Sequence, residues 1–273
     1  MKARRHWRRS TGYWLLATVS WLLAGCAPKA PIALPAGDGA PFPAFKSAFD
    51  EATTACQAVK TIRASMGMSG RAGSTKLRGR IDAGFAAPDR ARLEGLHPVF
   101  GRPVFVLVAD GGKGTLVLTR EDRVLRDAPP DQIVEALAGV PLGAAVLRTA
   151  ISGCGFGGAP GEGRAFSNGW IAAPVDDGTI YLRRGASGHE VAAAARGPVT
   201  IAYADYAAGR PSTIRIMASN AGRPTADLTL RLSDVDINAT LDARTFQIEV
   251  PERAIPLTLE ELRRAGPLGS DRD

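Results

Sequence analysis

The chain has 273 residues, with 34 Lys and Arg against 27 Asp and Glu, a formal net charge of +7. Five of those basic residues (Lys2, Arg4, Arg5, Arg8 and Arg9) lie in the first 25 positions, which hold no acid, so the rest of the chain carries 29 basic against 27 acidic groups, a net charge of +2. That is an ordinary solvated surface, and no basic run interleaved with aromatics remains, which excludes nucleic acid as a partner.

The basic leader is followed by an apolar core, Tyr13 to Ala24. A short basic-then-apolar segment of this kind is a secretory signal rather than part of the fold. It falls short of the roughly 20 apolar residues that a comfortable membrane span needs. Leu22-Leu23-Ala24-Gly25-Cys26 resembles the lipobox of bacterial lipoproteins. The resemblance implies diacylglycerol on the Cys26 thiol, cleavage before it, and acylation of the new amine. The alternative is a plain signal peptide or an uncleaved anchor. Each buried methylene contributes about 0.8 kcal/mol and one chain holds only marginally, so two or three chains make release slow. Residue 27 is Ala rather than Asp, which by the same resemblance points to the outer membrane. Residues 27–43, rich in Pro, Ala and Gly, read as a semi-extended tether of at most ~3.1 Å per residue. The expected organisation is a signal over 1–25, a lipidated N-terminus and tether over 26–43, one domain over 44–265, and a flexible tail over 266–273.

From Ala44 to about Lys60 the pattern is helical, with Phe45, Ala48, Phe49, Ala52, Cys56 and Val59 three or four apart on one face. The period then changes to two, through Ile62–Met68, Leu77–Phe85 and Ala91–Leu93, followed by PVFVLVAD (103–110), GTLVLTR (114–120) and DRVLRDA. Asp110-Gly111-Gly112-Lys113 predicts a hairpin turn, because its glycines tolerate positive φ. Two helices interrupt: PPDQIVEALAG, with Pro at its start and Gly139 as its stop, and PLGAAVLRTAISG, ending at Gly153. Strands resume at 164–173, then TIYLRR, EVAAAAR, VTIAYADY, STIRIMAS and DLTLRLSDVDIN. Thr258-Leu259-Glu260-Glu261 is a capping box that predicts a last short helix. About eleven strands and few helices imply an α+β protein whose antiparallel sheet curves into a partial barrel around those helices.

With Cys26 set aside, Cys56 and Cys154 remain. An even pair in an exported protein reads as a disulfide, closing a loop worth about 4–5 kcal/mol in the loop-entropy model. The alternative is two buried free thiols.

An enzyme is not expected. Beyond the leader only His97 and His189 remain, in different segments, without metal-ligand spacing or a Ser-His-Asp arrangement. Gly153-Cys154-Gly155-Phe156-Gly157-Gly158 matches GxGxxG formally, but it follows a helix where the dinucleotide fingerprint needs a strand. No cofactor and no metal are expected. Arg90, Arg92, Arg120, Arg123 and Arg126 read as a solvated outer face or as contacts to lipid head groups or an acidic carrier.

The order of elements resembles the LolA/LolB superfamily of periplasmic lipoprotein carriers and outer-membrane receptors. His97-Pro98-Val99-Phe100-Gly101 with the strand after it, Ile133 to Leu142 followed by Leu147 to Gly153, and Leu232 to Asn238 with Leu241, Asp242 and Phe246 carry the likeness. The resemblance covers most of residues 44–250 and rests on order and spacing. It implies an incomplete, half-open antiparallel β-barrel with helices as a lid over an apolar cavity that takes acyl chains. The cavity would be lined by Leu93, Phe105, Leu107, Leu116 and Leu118, with Ile133, Leu137 and Leu147 on the lid. By position, the membrane-inserting residue of LolB falls on Val99 or Phe100, although the family's leucine is absent here; the alternative is that both point into the core. The implied function is a membrane-anchored, periplasm-facing monomer at the outer membrane that receives or inserts lipoproteins or related lipids, with a periplasmic LolA-like carrier as partner. The other reading is a scaffolding envelope lipoprotein of the same fold with no ligand. A hydrolase would require a Ser or His exposed in the cavity beside a carboxylate.

Overall fold

A computed structural model of the chain describes residues 32–97, 100–176 and 178–267. The signal and Cys26 therefore lie outside the described residues, as do Val99 and most of the 266–273 tail.

Alternation of apolar and polar residues builds two antiparallel meanders. The first runs through β2 (Thr61–Ala72), β3 (Thr75–Ala86), β4 (Arg90–Leu96), β5 (Pro103–Asp110), β6 (Lys113–Leu118) and β7 (Arg123–Ala128). The second runs through β8 (Arg164–Ala165), β9 (Ile171–Val175), β10 (Gly178–Arg184), β11 (His189–Arg196), β12 (Val199–Ala207), β13 (Arg210–Asn220) and β14 (Arg223–Ile237). β14 returns to pair with β2, Leu230 opposite Met68, and fuses the meanders into one sheet. β1 (Ala40–Pro41) joins one end against β8, and β15 (Ile255–Pro256) joins the other, parallel to β7. The sheet has 15 strands, and its end strands β1 and β15 are not neighbours, so it stays open.

Fifteen strands replace the expected eleven or so for two reasons. The stretch 164–173 is two strands, because the chain turns at Gly169 (φ +80°) and Arg164 pairs back onto Ala172. Three strands of two residues each, β1, β8 and β15, are held only by their neighbours and have no periodicity of their own. β1 lies inside the Pro/Ala/Gly-rich stretch read as tether, where Phe42 N–H donates to the Gly163 carbonyl at 3.0 Å.

Four α-helices complete the described residues: α1 (Phe45–Gln57), α2 (Pro130–Ala138), α3 (Ala144–Ser152) and α4 (Leu259–Ala265). Pro130 opens α2, and Gly139 closes it in the left-handed region at φ +75°. Gly153 closes α3 in the same way at φ +95°. Thr258 and Glu261 form the reciprocal capping box of α4. None of these helices is long and apolar enough to cross a membrane.

The helices α1, α2 and α3 pack on one face of the sheet. Ile62, Ala64 and Met66 of β2, Leu228 and Leu230 of β14, and Ile214 and Ile216 of β13 point into this shared core. Cys56 and Cys154 are bonded, with Cα atoms 5.6 Å apart, and tie the end of α1 to the residue that follows the α3 cap. On the other face, residues 241–248 lie over β5. There Val106 and Val108 are buried under Phe246, Leu241 and Ile248. Burial on both faces explains why PVFVLVAD is a continuous apolar run rather than an alternating one. The C-terminal segment then adds β15 to β7, and α4 packs against α2, where Arg263 donates to Gln132 at 2.9 Å.

Candidate functional site

Beneath the lid helices is a cavity of about 100 Å³. Its floor comes from Met66 and Met68 of β2, Ile81 and Phe85 of β3, Leu93 of β4, and Phe105 and Leu107 of β5, with Ile216, Leu228 and Leu230 from β13 and β14. Its roof is Val134, Leu137 and Ala138 of α2, Val140 of the joint, and Leu147 and Ile151 of α3. All sixteen lining residues are apolar, so the cavity offers an occupant burial and no hydrogen bond. Most are buried, whereas Met68, Ile81, Leu93 and Ala138 are half-buried. Ile81 stands opposite Gly95, two residues before the loop His97–Arg102 leaves β4. Gly95 is required there: a Cβ would stand 2.0 Å from the Phe105 ring.

Of the eight residues expected to line a cavity, Leu93, Phe105, Leu107, Leu137 and Leu147 do so. Leu116, Leu118 and Ile133 are buried in the same core but do not line it. Ile133 packs against Gly114, whose missing Cβ would stand 2.8 Å from the Ile133 Cδ1. That contact seats α2 on β6.

Phe100 is 74% exposed. Its ring stacks on His97 at 5.0 Å, and its backbone N–H donates to His97 Nδ1 at 3.3 Å. Gly101, at φ +61°, turns the chain back toward β5. The exposed ring therefore sits on a short turn between β4 and β5, the strands that carry Leu93 and Phe105. Val99 lies outside the described residues.

The outer face carries a different cavity. A groove of about 1000 Å³ lies between residues 240–251 and the outward side chains of β2–β6 and β14. It is much larger and mixed in character, with three arginines and six carboxylates among its lining residues, some of them paired. Arg63 pairs with Asp236, Arg92 Nε with Glu94 at 2.6 Å, and the Ser65 hydroxyl donates to Asp82 at 2.6 Å. Three of the five arginines read as a solvated or head-group face are used within the fold. Arg90 lies over the Phe246 ring at 4.9 Å, Arg92 also donates to the Gln247 carbonyl at 2.7 Å, and Arg123 pairs with Glu261 at 3.0 Å.

The sequence reading missed one pairing. His189 Nδ1 meets Glu51 Oε2 at 2.6 Å in a cleft of about 150 Å³ beside the disulfide, and this bond holds the Glu51 carboxyl below its ordinary value. Burial pushes the neighbouring Glu190 carboxyl and Tyr206 phenol up. Ser152 and Ser187 also line the cleft. The Ser152 hydroxyl, however, donates to the Thr149 carbonyl of its own helix at 2.8 Å, and this cleft is separate from the apolar cavity. A separation of 138 positions between Glu51 and His189 leaves no local signal. Among the described residues, no group of three or more His, Cys, Asp or Glu is placed to hold a metal.

The chain is similar to several solved structures. One is a LolA superfamily protein from Nitrosomonas europaea, 12% identical with a TM-score of 0.49, the match covering 74% of this chain and 95% of that one. A DUF1329 family protein from Desulfovibrio piger is 10% identical with a TM-score of 0.48, over 74% of this chain and 96% of that one. A domain assigned to outer membrane lipoprotein sorting in Vibrio parahaemolyticus is 10% identical with a TM-score of 0.44, over 68% of this chain and 89% of that one. No family model matches the sequence, and no curated protein does. At these identities no residue role passes from those proteins to this chain, and the site rests on its own geometry.

Proposed function

We propose that this protein binds acyl chains of lipoproteins or related lipids between the open sheet and its lid helices, and hands them on at the outer membrane. In this reading it is held there by lipid on Cys26, faces the periplasm, works as a monomer, and needs no covalent chemistry. The observation that carries the reading is the cavity lining, apolar at every position, with Phe100 exposed on the turn that joins β4 and β5, two strands of the cavity floor. Phe100 would touch the bilayer or an incoming carrier while the chain moves.

The volume sets a condition. A dry cavity of roughly 150 Å³ admits benzene, so about 100 Å³ is a closed state that holds only a few methylenes. Uptake requires the roof to lift. α3 is tied at its end by the disulfide, and Arg148 Nη1 donates from its middle to the Val59 carbonyl at 2.8 Å. α2 is joined to α3 by the short Gly139–Gly143 segment and is held from outside by α4. α2 is therefore the part of the roof that moves.

The same small volume favours a second reading, a scaffolding envelope lipoprotein that never opens. Mass spectrometry of the protein extracted from membranes separates the two. The carrier reading expects about one equivalent of acyl lipid beyond that on the N-terminus, and a Leu137→Trp protein without it. Lipid-free wild type would favour the scaffold. The anchor is tested separately: Cys26→Ala should move the protein from the membrane to the soluble fraction and abolish labelling by radioactive palmitate.

A further inference from the structure

The charge of the chain is unevenly placed. The β2–β3 hairpin reaches past β4: the last pair between β3 and β4 is Arg80 with Leu96, so residues 75–79 project beyond it. The β13–β14 hairpin lies along the other side of this projection, where Ala226 is opposite Ala72 and the Gly73 N–H donates to the Thr225 carbonyl at 2.7 Å. The turn of residues 97–102 continues β4 from the level of Arg80 and carries the exposed Phe100. These three segments, 67–81, 97–102 and 219–226, hold six basic residues (Arg71, Lys76, Arg78, Arg80, Arg102 and Arg223) and no acid. The rest of the chain after the leader then has 23 basic against 27 acidic residues, so its small positive balance conceals one cationic end.

Counter-ions are missing there too. Register puts Arg71, Lys76, Arg78 and Arg80 on the hairpin face turned away from the core, since Met68, Ala72 and Leu77 face the core. Asp227 is opposite Arg71 on β14, yet both its oxygens are taken by Arg215 at 2.7 Å. Asp82 is taken by Arg80 and Ser65. Arg71, Lys76, Arg78, Arg102 and Arg223 are exposed, and among the described residues none of them pairs with a carboxylate. The β6–β7 turn bounds the patch on the far side of Phe100: the Thr119 N–H donates to the Val104 carbonyl at 3.1 Å, and Arg120 is outweighed there by Glu121 and Asp122. Cations spread over hairpin tips around an exposed ring match a bilayer. Its phosphates attract Lys and Arg, and its acyl region takes the ring, with no shaped counter-surface required. We propose that this end of the sheet docks on an anionic phospholipid bilayer, the five unpaired cations facing lipid phosphates while Phe100 enters the surface. The proposal rests on the reading above that sets Phe100 against a bilayer, and adds the class of lipid that the protein faces.

The test uses the protein extracted from membranes and reconstituted in vesicles, with Phe100→Trp as the reporter. Beyond the leader the chain has one other tryptophan, the buried Trp170, whose signal in the unsubstituted protein is the background. Quenching by brominated acyl chains is compared in phosphatidylcholine alone and with about 30% phosphatidylglycerol. The Phe100→Trp signal should be quenched at least about 3-fold more strongly with phosphatidylglycerol, and raised salt should remove most of that difference. Adding Lys76→Glu with Arg78→Glu should bring the ratio to about 1. Arg126→Glu with Arg210→Glu, an equal charge change on exposed residues outside the three segments, should leave it unchanged. Melting curves establish that both variants are folded. Equal quenching in the two vesicles, or equal loss from the two charge variants, overturns the anionic docking surface. Absence of quenching in both vesicles overturns the contact of Phe100 with the bilayer as well. Acyl binding is read separately, by titrating a fatty acid into the same protein, and stands or falls on that result alone.

Discussion

The two faces of the sheet hold cavities that differ tenfold in size and in every chemical respect. The concave one, near 100 Å³, is lined by apolar residues alone and roofed by helices; the convex one, near 1000 Å³, is mixed, with arginines and carboxylates among its lining residues. Volume alone would choose the convex face, whereas the proposed site lies on the other. A wide groove reached by water gains little from an acyl chain, since its polar groups are satisfied by one another or by water. A shielded apolar hollow leaves contacts unmade until something fills it. Fold and candidate function meet on the concave side for that reason.

The sharpest way to break this contrast is to cut the lining. Phe85 is fully buried and lines the concave cavity, so Phe85→Ala should cost about 3–5 kcal/mol in urea unfolding. Removing the exposed convex pair by Arg63→Ala should cost under about 1 kcal/mol. Similar losses from the two would mean that the concave hollow is not part of the packed core. Next is the disulfide behind the lid: Cys56→Ser with Cys154→Ser should lose about 2–5 kcal/mol, read by the same unfolding curves. A loss near zero would show that α1 and α3 stay together without it.

A smaller effect belongs to the outer brace. Glu261 is held down to about 2 by the Thr258 backbone and hydroxyl and by Arg123. Its folded value lies below its ordinary 4.5, so its contribution is fully present above about pH 4.5 and is lost as pH falls toward 2. Glu261→Gln should flatten that limb of the stability curve and should weaken the brace on α2. Smallest is the cap itself: Thr258→Ala should cost about 1 kcal/mol. If acyl uptake becomes faster in either variant, α2 is confirmed as the moving part of the roof.

The sequence marks local structure well where one residue decides it. Pro130, Gly139 and Gly153 bound their helices, Gly111 and Gly112 turn their hairpin, and Thr258 with Glu261 caps α4, as composition alone suggests. It is silent where a partner distant in sequence decides. β1, β8 and β15 exist only because a neighbour pairs with them, and His189 finds Glu51 across 138 positions. The site lies between these cases. Alternation shows that Leu116 and Leu107 point to the same face, but not that α2 is seated through Ile133 on Gly114, nor that Leu107 faces the hollow and Leu116 does not.

The central claim is that the smaller, concave cavity is the binding site. Titration of a fluorescent long-chain fatty acid into wild type, Leu137→Trp and Glu249→Trp tests it most directly, since the two substitutions place the same bulk in the concave and the convex cavity. With melting curves confirming that all three are folded, the account predicts saturable binding to wild type and Glu249→Trp, and at least 10-fold weaker binding to Leu137→Trp. Binding retained by Leu137→Trp and lost in Glu249→Trp would contradict it.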